Sequence, residues 1–150
     1  MKQIVATRTE NETEALGRQL AGRIKPGTTV ALYGELGSGK TVFTRGFARG
    51  LGIAKRIISP TFILLREYQL PQSKGRLYHL DLYRVRGTED LRSIDLIELT
   101  KEKDSLVVVE WAEKAKKYLP RKRMEISFVM VPEGRKITVK SNEALLRYIR

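Results

Sequence analysis

One short stretch constrains this chain more than any other: Gly34-Glu35-Leu36-Gly37-Ser38-Gly39-Lys40-Thr41. Its glycines leave backbone N–H groups free to point at an anion, and a lysine and a threonine follow at once. This order fits G-x-x-x-x-G-K-[ST], the P-loop that cradles nucleotide phosphates. In such a loop the lysine reaches the β- and γ-phosphates and the threonine hydroxyl binds Mg²⁺.

The residues on either side of the loop favour the same interpretation. Residues 29–33 form a strand-like run, and Phe43, Phe47 and Leu51 recur every four residues, as in a helix. The helix would begin with the positive end of its dipole at the phosphates. The alternative is a glycine-rich turn with a surface lysine, which this strand–loop–helix order argues against.

Length and composition limit the class of protein. A chain of 150 residues is expected to form one domain, residues 1–150. No apolar run approaches the length of a membrane span, and the N-terminus has no signal-peptide pattern. With no cysteine and a single histidine, thiol nucleophiles and Cys- or His-rich metal sites are excluded. We therefore expect a cytoplasmic protein with no membrane partner.

The charge balance is strongly basic. The chain has 29 Lys and Arg residues against 17 Asp and Glu, a net charge of +12, and a pI near 10.1. The surplus favours polyanionic partners such as RNA, or reflects a general compositional bias. Between Lys114 and Arg123 the sequence carries six basic residues and no acidic one. This run is either a patch for a phosphate backbone or a solvated helix face and loop.

Hydrophobic periodicity predicts alternating helices and strands. Thr9 and Glu12 have the spacing of a capping box before a helix that contains Leu16, Leu20 and Ile24. Thr88 is placed to cap a short helix, and residues 142–149 have a helical pattern. The predicted strands are residues 62–68 and 77–83, joined by a turn at 71–75, then 105–111, and a hairpin of 129–131 with 137–139.

These elements predict an α/β fold. The run at residues 105–111 is apolar without interruption, which is typical of a strand buried on both faces of a parallel sheet. We expect a three-layer P-loop NTPase sheet, mixed parallel and antiparallel, with helices on both faces.

Turnover of a nucleotide needs more than a P-loop, because a metal must be held and a water positioned. Glu110 ends the buried-looking strand, where a Walker-B acid belongs, and Asp81 lies in an earlier segment. Either acid would bind Mg²⁺ or orient the attacking water. The structural alternatives are a helix N-terminal acid for Glu110 and a solvated hairpin residue for Asp81.

Other candidates carry weaker signals. Ser59-Pro60-Thr61 is either a nucleotide-sensing switch, with Thr61 as its hydroxyl, or an ordinary turn into a strand. His79 and Trp111 are interpreted as packing residues. No Asn-Lys-x-Asp motif supports guanine specificity, and no pattern marks one arginine as a charge-stabilising finger. The candidates for that role are Arg45, Arg84 and Arg135.

Several of these segments together resemble the TsaE (YjeE-like) family, small bacterial P-loop ATPases of tRNA threonylcarbamoyladenosine biosynthesis. The resemblance depends on four segments in the same order and with the same spacing, over most of the chain. They are the P-loop with Tyr33 before it, Ser59-Pro60-Thr61-Phe62, His79-Leu80-Asp81-Leu82-Tyr83-Arg84, and Val109-Glu110-Trp111.

The resemblance implies site residues and ligands. ATP is the implied nucleotide and Mg²⁺ the metal, held by Thr41 and Glu110. Thr61 falls in the switch segment and Asp81 in an acidic motif tied to hydrolysis. The residues implied to bind the nucleotide, the last two near the base, are Leu36, Gly37, Ser38, Gly39, Lys40, Thr41, Val42, Thr9 and Arg135.

The resemblance also implies partners. The family works with TsaB and TsaD, and its hydrolysis of ATP is thought to reset that complex between turnovers. Its own turnover is slow without them, and tRNA is a further candidate partner, bound directly or through the complex.

Two other functions stay open from the residues alone. A small-molecule or nucleotide kinase shares the loop pattern but needs an arginine-bearing lid. The only insertion-like segment, Pro71–Gly75, carries no arginine. A nucleotide-gated RNA-binding module with negligible turnover would instead use the basic run between Lys114 and Arg123.

Overall fold

A computed structural model describes residues 1–58 and 64–145, and within these ranges seven strands form one sheet with the order β1-β7-β6-β2-β5-β4-β3. The strands are β1 (Lys2–Thr7), β2 (Thr29–Gly34), β3 (Leu65–Gln69), β4 (Arg76–Asp81), β5 (Leu106–Glu110), β6 (Met124–Val131) and β7 (Gly134–Lys140). The α-helices are α1 (Glu10–Ala21), α2 (Lys40–Gly50) and α3 (Leu96–Lys101). Short 3₁₀ helices span Thr88–Leu91, Ala112–Tyr118 and Glu143–Leu145.

The centre of the sheet is parallel and its edges are antiparallel. β2 lies between β5 and β6 and is parallel to both, and β4 is parallel to β5. Every residue of β5 is buried, as its apolar run predicted. The hairpins β3–β4 and β6–β7 extend the sheet, and β1 closes one edge beside β7. The predicted mixed sheet is confirmed.

Helices cover both faces of the sheet. On one face α1 and α2 pack over β2 and β6, with Phe43 and Phe47 fully buried among them. On the other face Leu91 and Leu96 bring a 3₁₀ helix and α3 against Leu80 of β4. The predicted three-layer arrangement is therefore confirmed. Within the described ranges no helix is long and apolar enough to cross a membrane.

Helix α1 begins as predicted. The Thr9 hydroxyl accepts a hydrogen bond from the Glu12 N–H at 3.1 Å, and the Glu12 carboxylate accepts one from the Arg8 N–H. Two initial N–H groups that lack a helical partner are satisfied in this way.

Three regions differ from the sequence prediction. β1 was not predicted, because five of its six residues are partly or fully exposed and they give no clear alternation. Gly87, not Thr88, precedes the first 3₁₀ helix, and Asp95 is the N-cap of a separate helix, α3, because its carboxylate accepts from the Glu98 N–H. β6 begins at Met124, five residues before the predicted strand.

Two further predictions reach beyond the described residues. The predicted strand 62–68 appears as β3 from Leu65, and residues 62 and 63 lie outside the described part of the chain. Of the predicted last helix, Glu143–Leu145 forms a 3₁₀ turn, and residues 146–149 lie outside the described part.

Glycines allow α1 and α2 to approach closely. A β-carbon at Gly46 would overlap the backbone carbonyl oxygen of Glu14, and one at Gly17 would overlap that of Phe43. The backbones of the two helices therefore touch directly. Since α2 begins at Lys40, this contact also fixes the position of the loop that precedes it.

We predict that Gly46→Ala lowers the free energy of unfolding by about 2 kcal/mol or more, measured by urea denaturation. Alanine improves helix propensity by about 1 kcal/mol, but the added carbon forces two backbones apart. Gly22→Ala is the matched control, since its nearest new neighbour is a carbonyl oxygen at 3.6 Å and its φ of −67° suits alanine. Equal stabilities for the two variants would show that the helices separate without cost.

Candidate active site

The topology brings the loop and the two predicted acids to one edge of the sheet. Residues 35–39 connect β2 to α2 at the carboxyl end of β2. Glu110 is the last residue of β5 and Asp81 the last residue of β4, and the two are register partners. Glu110 is also the register partner of Leu32 in β2. Parallel strands end at the same edge, so three elements distant in sequence converge there.

The backbone of the loop is shaped to receive an anion. Gly37 and Gly39 have φ of 78° and 110°, which non-glycine residues rarely adopt. No atom lies within 4 Å of the position a β-carbon would take at Gly37, so the loop opens into free space there. Within the described part of the chain, the N–H groups of Gly37 and Gly39 have no hydrogen-bond partner. Together with the first turn of α2 they form a concave set of donors.

Lys40 lies inside this loop and is 4% exposed. Its Nζ donates to the carbonyl oxygens of Gly34 and Glu35, the second at 2.9 Å, and lies 3.4 Å from the Ser38 hydroxyl. These are neutral acceptors, so an anionic phosphate oxygen would compete well for the ammonium group.

Two environmental effects act on the pKa of Lys40. Burial lowers the pKa below its ordinary value, because desolvation disfavours the charged amine. The negative charge of Glu110 opposes the shift, followed by Glu113, Asp81 and Glu35. The amine is thus partly desolvated and has acidic groups nearby, but among the described residues it forms no ion pair.

Glu110 is the most constrained side chain of the site. It is 2% exposed, and both carboxylate oxygens are engaged: Oε1 accepts from the Thr41 hydroxyl at 2.8 Å, and Oε2 lies 2.5 Å from Nε2 of His79. Because a carboxylate only accepts hydrogen bonds, we assign the proton of this contact to His79 Nε2. His79 is 0% exposed. A buried negative charge is tolerated only with such partners.

This donor set fits a magnesium ion that also uses phosphate oxygens. Among the residues the structure describes, no three or more His, Cys, Asp or Glu side chains form a cluster that could hold a metal by themselves. Mg²⁺ is commonly bound by one or two protein oxygens, waters and substrate phosphates, and does not need an all-protein cage. The Thr41 hydroxyl and the Glu110 carboxylate supply suitable oxygens beside the phosphate loop.

Asp81 is buried and is therefore not the solvated hairpin residue of the alternative interpretation. Its Oδ1 accepts the N–H of Tyr83 at 3.0 Å, which holds the carboxylate at the end of β4. Its register partner Glu110 lies at the end of the neighbouring strand. Two carboxylates thus stand side by side at the site.

Trp111 turns the chain away from β5 directly after Glu110. Its φ of 59° is the one positive value at a non-glycine residue in the described ranges. The ring packs against the core, as predicted, but it also lies 5.2 Å from the ring of Tyr83 and 4.3 Å from Lys40 Nζ. An unfavourable backbone conformation at an aromatic residue persists only where its surroundings impose it.

A cavity of about 290 Å³ joins these groups. Nine of the predicted site residues line it, together with Glu10, Tyr83 and Trp111. The nine are Leu36, Gly37, Gly39, Lys40, Thr41, Val42, Asp81, Glu110 and Arg135.

Arg135 lies at the mouth of the cavity. Its Nη2 is 3.5 Å from the Gly37 carbonyl oxygen, and a β-carbon at Gly39 would meet its side chain at 3.0 Å. Of the other arginine candidates, Arg45 lines a separate cavity with Arg49 and Arg56. Arg84 follows β4 and is not among the residues that line the cavity of about 290 Å³.

Three predicted site residues do not line the cavity. Ser38 is buried beneath the loop beside Lys40. Thr9 caps α1, and its neighbour Glu10 lines the cavity in its place. Thr61 lies outside the described residues, so its role as a switch stays a prediction.

His79 is the main residue that the sequence analysis assigned differently. His79 lies two residues before Asp81, so both side chains are on the same face of β4. This spacing is the sequence signal that could have placed His79 at the site. The partner of His79, Glu110, is 31 residues away, and only the register of β4 and β5 brings them together.

Comparisons with known proteins agree with this geometry. A sequence model of the family described as "Threonylcarbamoyl adenosine biosynthesis protein TsaE" matches residues 7–137. The TsaE protein of Bacillus subtilis is 41% identical over 119 residues, which cover 77% of this chain and 70% of that protein. The TsaE protein of Treponema pallidum is 37% identical over 134 residues, covering 89% and 96%.

A solved structure supports the same relationship. The crystal structure of Bacillus subtilis YdiB matches with a TM-score of 0.77 and 32% sequence identity, covering 97% of this chain and 89% of that one. With the family match extending from Thr7 to Ile137, the chain belongs to the TsaE family of threonylcarbamoyl adenosine biosynthesis proteins.

Proposed function

We propose that this protein is a magnesium-dependent ATPase of tRNA threonylcarbamoyladenosine biosynthesis that resets a TsaB–TsaD complex between turnovers. One observation carries the ATPase assignment: the P-loop threonine is hydrogen-bonded at 2.8 Å to a buried carboxylate at the end of the neighbouring strand. The family supports the pathway, and the partner complex follows from the family resemblance. We place the activity in the cytoplasm, where tRNA and ATP are found.

The loop is the phosphate-binding element. Gly37, Gly39 and the first two residues of α2 line the cavity, where their backbone N–H groups would donate to phosphate oxygens. Lys40 would exchange its carbonyl acceptors for oxygens of the β- and γ-phosphates, gaining charge-assisted hydrogen bonds. Arg135 adds positive charge at the mouth.

The metal would be held by the Thr41 hydroxyl and the Glu110 carboxylate, directly or through water. When bound, Mg²⁺ supplies neutralisation of the negative charge on the phosphate oxygens. His79 keeps Oε2 of Glu110 engaged, so that Oε1 stays directed toward Thr41. His79 is therefore a positioning residue in this proposal, not one that touches the nucleotide.

Asp81 is placed to orient the attacking water. Its carboxylate is held by the Tyr83 N–H and lies at the cavity, one strand away from Glu110. An acceptor fixed in this way would align a water molecule and receive its proton as the water oxygen bonds to the γ-phosphorus and the bond to the bridging oxygen of the leaving ADP breaks. In this proposal Glu110 binds the metal and Asp81 orients the attacking water.

A kinase would need a lid over the phosphates, and the position of the candidate segment, the turn at residues 71–75, does not support that alternative. That turn joins the end of β3 to the start of β4, whereas the P-loop lies at the carboxyl end of the parallel strands. Gly75 packs against the Asp104 carbonyl just before β5 begins. The segment considered as a lid is thus at the far end of the sheet from the nucleotide cavity.

The test of this function is phosphate release from ATP, with and without TsaB, TsaD and tRNA. We expect slow release by the protein alone, stimulation by the partners, and a loss of about 100-fold or more in Lys40→Ala, because one preorganised cationic donor to the phosphates is removed. Lys55→Ala, at an exposed lysine outside the cavity, is the control. Appearance of the phosphoryl group on a small acceptor, or full activity in Lys40→Ala, would contradict the proposal.

The positioning role of His79 predicts a selective defect. His79→Leu removes the N–H donor to Glu110 and is expected to lower Mg²⁺-dependent turnover about 10- to 100-fold and to raise the Mg²⁺ concentration required. His79→Gln restores an N–H donor and is expected to recover part of the activity. Nucleotide affinity without metal should stay unchanged in both variants.

Tyr78→Phe is the matched control for His79. Tyr78 is the adjacent residue of β4 but faces the other side of the sheet, where its hydroxyl donates to Glu102 at 2.9 Å. If His79→Leu weakens metal-free nucleotide binding as much as turnover, the histidine has a structural role only.

Trp111 gives an optical test of the movement of Lys40. It is the single tryptophan of the chain, and Lys40 Nζ lies 4.3 Å from its ring centroid. A bound triphosphate should draw the ammonium away and change the intrinsic fluorescence, and Lys40→Met should abolish this response. Lys114→Met alters a second amine 5.7 Å from the same ring and should retain it. Unchanged fluorescence at nucleotide saturation, verified by calorimetry, would show that Lys40 stays in place.

A further inference from the structure

A second cluster of charged side chains lies at the opposite end of the sheet from the P-loop. There β1 begins, β7 ends and β6 begins, since β6 runs parallel to β2 and β7 runs antiparallel to β6. These ends and the loop before β6 enclose a cleft of about 520 Å³. We refer to it as the basal cleft. Its charged lining residues are Lys2, Arg121, Lys122, Arg123, Lys140 and Glu125.

The positive charge of the basal cleft is largely uncompensated. Among the described lining residues, five cationic side chains and one carboxylate give a net side-chain charge of +4. Glu125 is already paired with Arg123 at 2.8 Å, and Arg123 also donates to the Pro120 carbonyl oxygen at 3.0 Å. Within the described ranges, the other four cations, Lys2, Arg121, Lys122 and Lys140, take part in no ion pair.

Two of these cations are directly opposed. Lys2 of β1 and Lys140 of β7 are register partners in an antiparallel pair, so their side chains project from the same face of the sheet. Like charges directly opposite each other across two strands destabilise the pairing. On its other side Lys140 has Glu125 of β6 as its register partner, but that carboxylate is paired with Arg123 at 2.8 Å. Within the described residues the repulsion between Lys2 and Lys140 is therefore only partly offset, and an anion bound between the two amines would turn it into attraction.

The basic residues between Lys114 and Arg123 lie in different parts of the structure. Lys114 Nζ donates to the carbonyl oxygens of Tyr83 and Val85, at 2.5 and 3.1 Å, so this lysine secures the segment after β4. Lys116 and Lys117 belong to the 3₁₀ helix Ala112–Tyr118 and line a different cavity. Only residues 121–123 join the basal cleft, where they meet Lys2 and Lys140 from other parts of the chain.

We propose that the basal cleft binds the phosphate backbone of RNA. Its cations come from three segments of the chain and line one open cleft, where they can contact successive phosphates of a flexible phosphodiester chain. Among the described residues that line it there is no aromatic side chain on which bases could stack, so we expect contacts to phosphates to predominate. Binding there is independent of base sequence and strongly dependent on salt.

This proposal names an RNA contact for a protein of the tRNA-modification pathway but does not require ATP hydrolysis. The basal cleft and the nucleotide cavity lie at opposite ends of the parallel strands, and none of the described residues lines both. RNA and nucleotide therefore occupy one molecule at the same time. Failure of the ATPase proposal would leave RNA binding at the basal cleft unaffected, and the reverse holds as well.

The test is fluorescence anisotropy of a labelled, unmodified tRNA transcript titrated with the full chain at several salt concentrations, without nucleotide. Lys2→Gln combined with Lys140→Gln is expected to weaken binding about 10-fold at low salt. It is also expected to reduce the slope of log affinity against log salt by about 1.4 to 1.8, since two phosphate contacts are lost. Replacing both lysines by arginine should retain the affinity.

Lys74→Gln combined with Lys103→Gln is the matched control. It removes the same charge from exposed positions that do not line the cleft, and Lys74 lies in the turn beside β3, at the other edge of the sheet. Equal losses in both double variants would show that only net charge matters and would overturn the proposal. Absence of tRNA binding by the unaltered protein would also overturn it, and sedimentation with phosphatidylserine vesicles in that case would assign the cleft to a membrane surface.

Thermal melting and ADP affinity of each variant provide the remaining checks. Lys2→Gln with Lys140→Gln removes the repulsion between the two amines and leaves the ion pair of Glu125 with Arg123 in place, so we expect an unchanged melting temperature and unchanged ADP binding. A loss of tRNA affinity with both properties preserved supports the proposal. A loss that accompanies a lowered melting temperature in the glutamine variant but not in the arginine variant would assign the two lysines a structural role and overturn it.

Discussion

The architecture of the nucleotide end depends on one buried charge, the Glu110 carboxylate. Removing a carboxylate from water is costly unless each oxygen keeps a strong hydrogen-bond donor. Thr41 and His79 supply those donors at 2.8 and 2.5 Å, from the first turn of α2 and from the middle of β4. The strands β4 and β5 and the helix α2 must therefore all be in place for the buried carboxylate to keep both of its donors. The same requirement fixes the positions of the Thr41 hydroxyl and the Glu110 carboxylate relative to each other, which is the geometry that the proposed metal site uses.

The close packing of α1 and α2 also fixes the position of the residues around Glu110. Direct backbone contact at Gly17 and Gly46 leaves little freedom for α2 to shift along the sheet. Since α2 carries Lys40 and Thr41 in its first turn, its position sets where the phosphate donors and the threonine hydroxyl lie relative to Glu110. α1 also brings Glu10 to the cavity, so the packing of the two helices and the lining of the site are coupled.

The features that could be predicted from the sequence are those formed by residues next to one another in the chain. The loop from Gly34 to Thr41 is a local signal, and β5 was predicted because a run of five buried residues needs no partner to be recognised. β1 escaped prediction because it is an exposed edge strand, whose pairing with β7 depends on tertiary context. His79 was assigned to packing because its meaning depends on a partner 31 residues away. The basal cleft depends on residues from three segments, of which the basic run is one part.

The strand β7 relates the two ends of the molecule. Arg135, at its start, reaches the mouth of the nucleotide cavity, and Lys140, at its end, lines the basal cleft. Ile137 and Val139 between them are buried in the core, so a slip of one residue would move both to the exposed face. That cost holds β7 in register and fixes the separation of the two cations. The sheet therefore holds the cavity at the P-loop end and the basal cleft at a fixed separation.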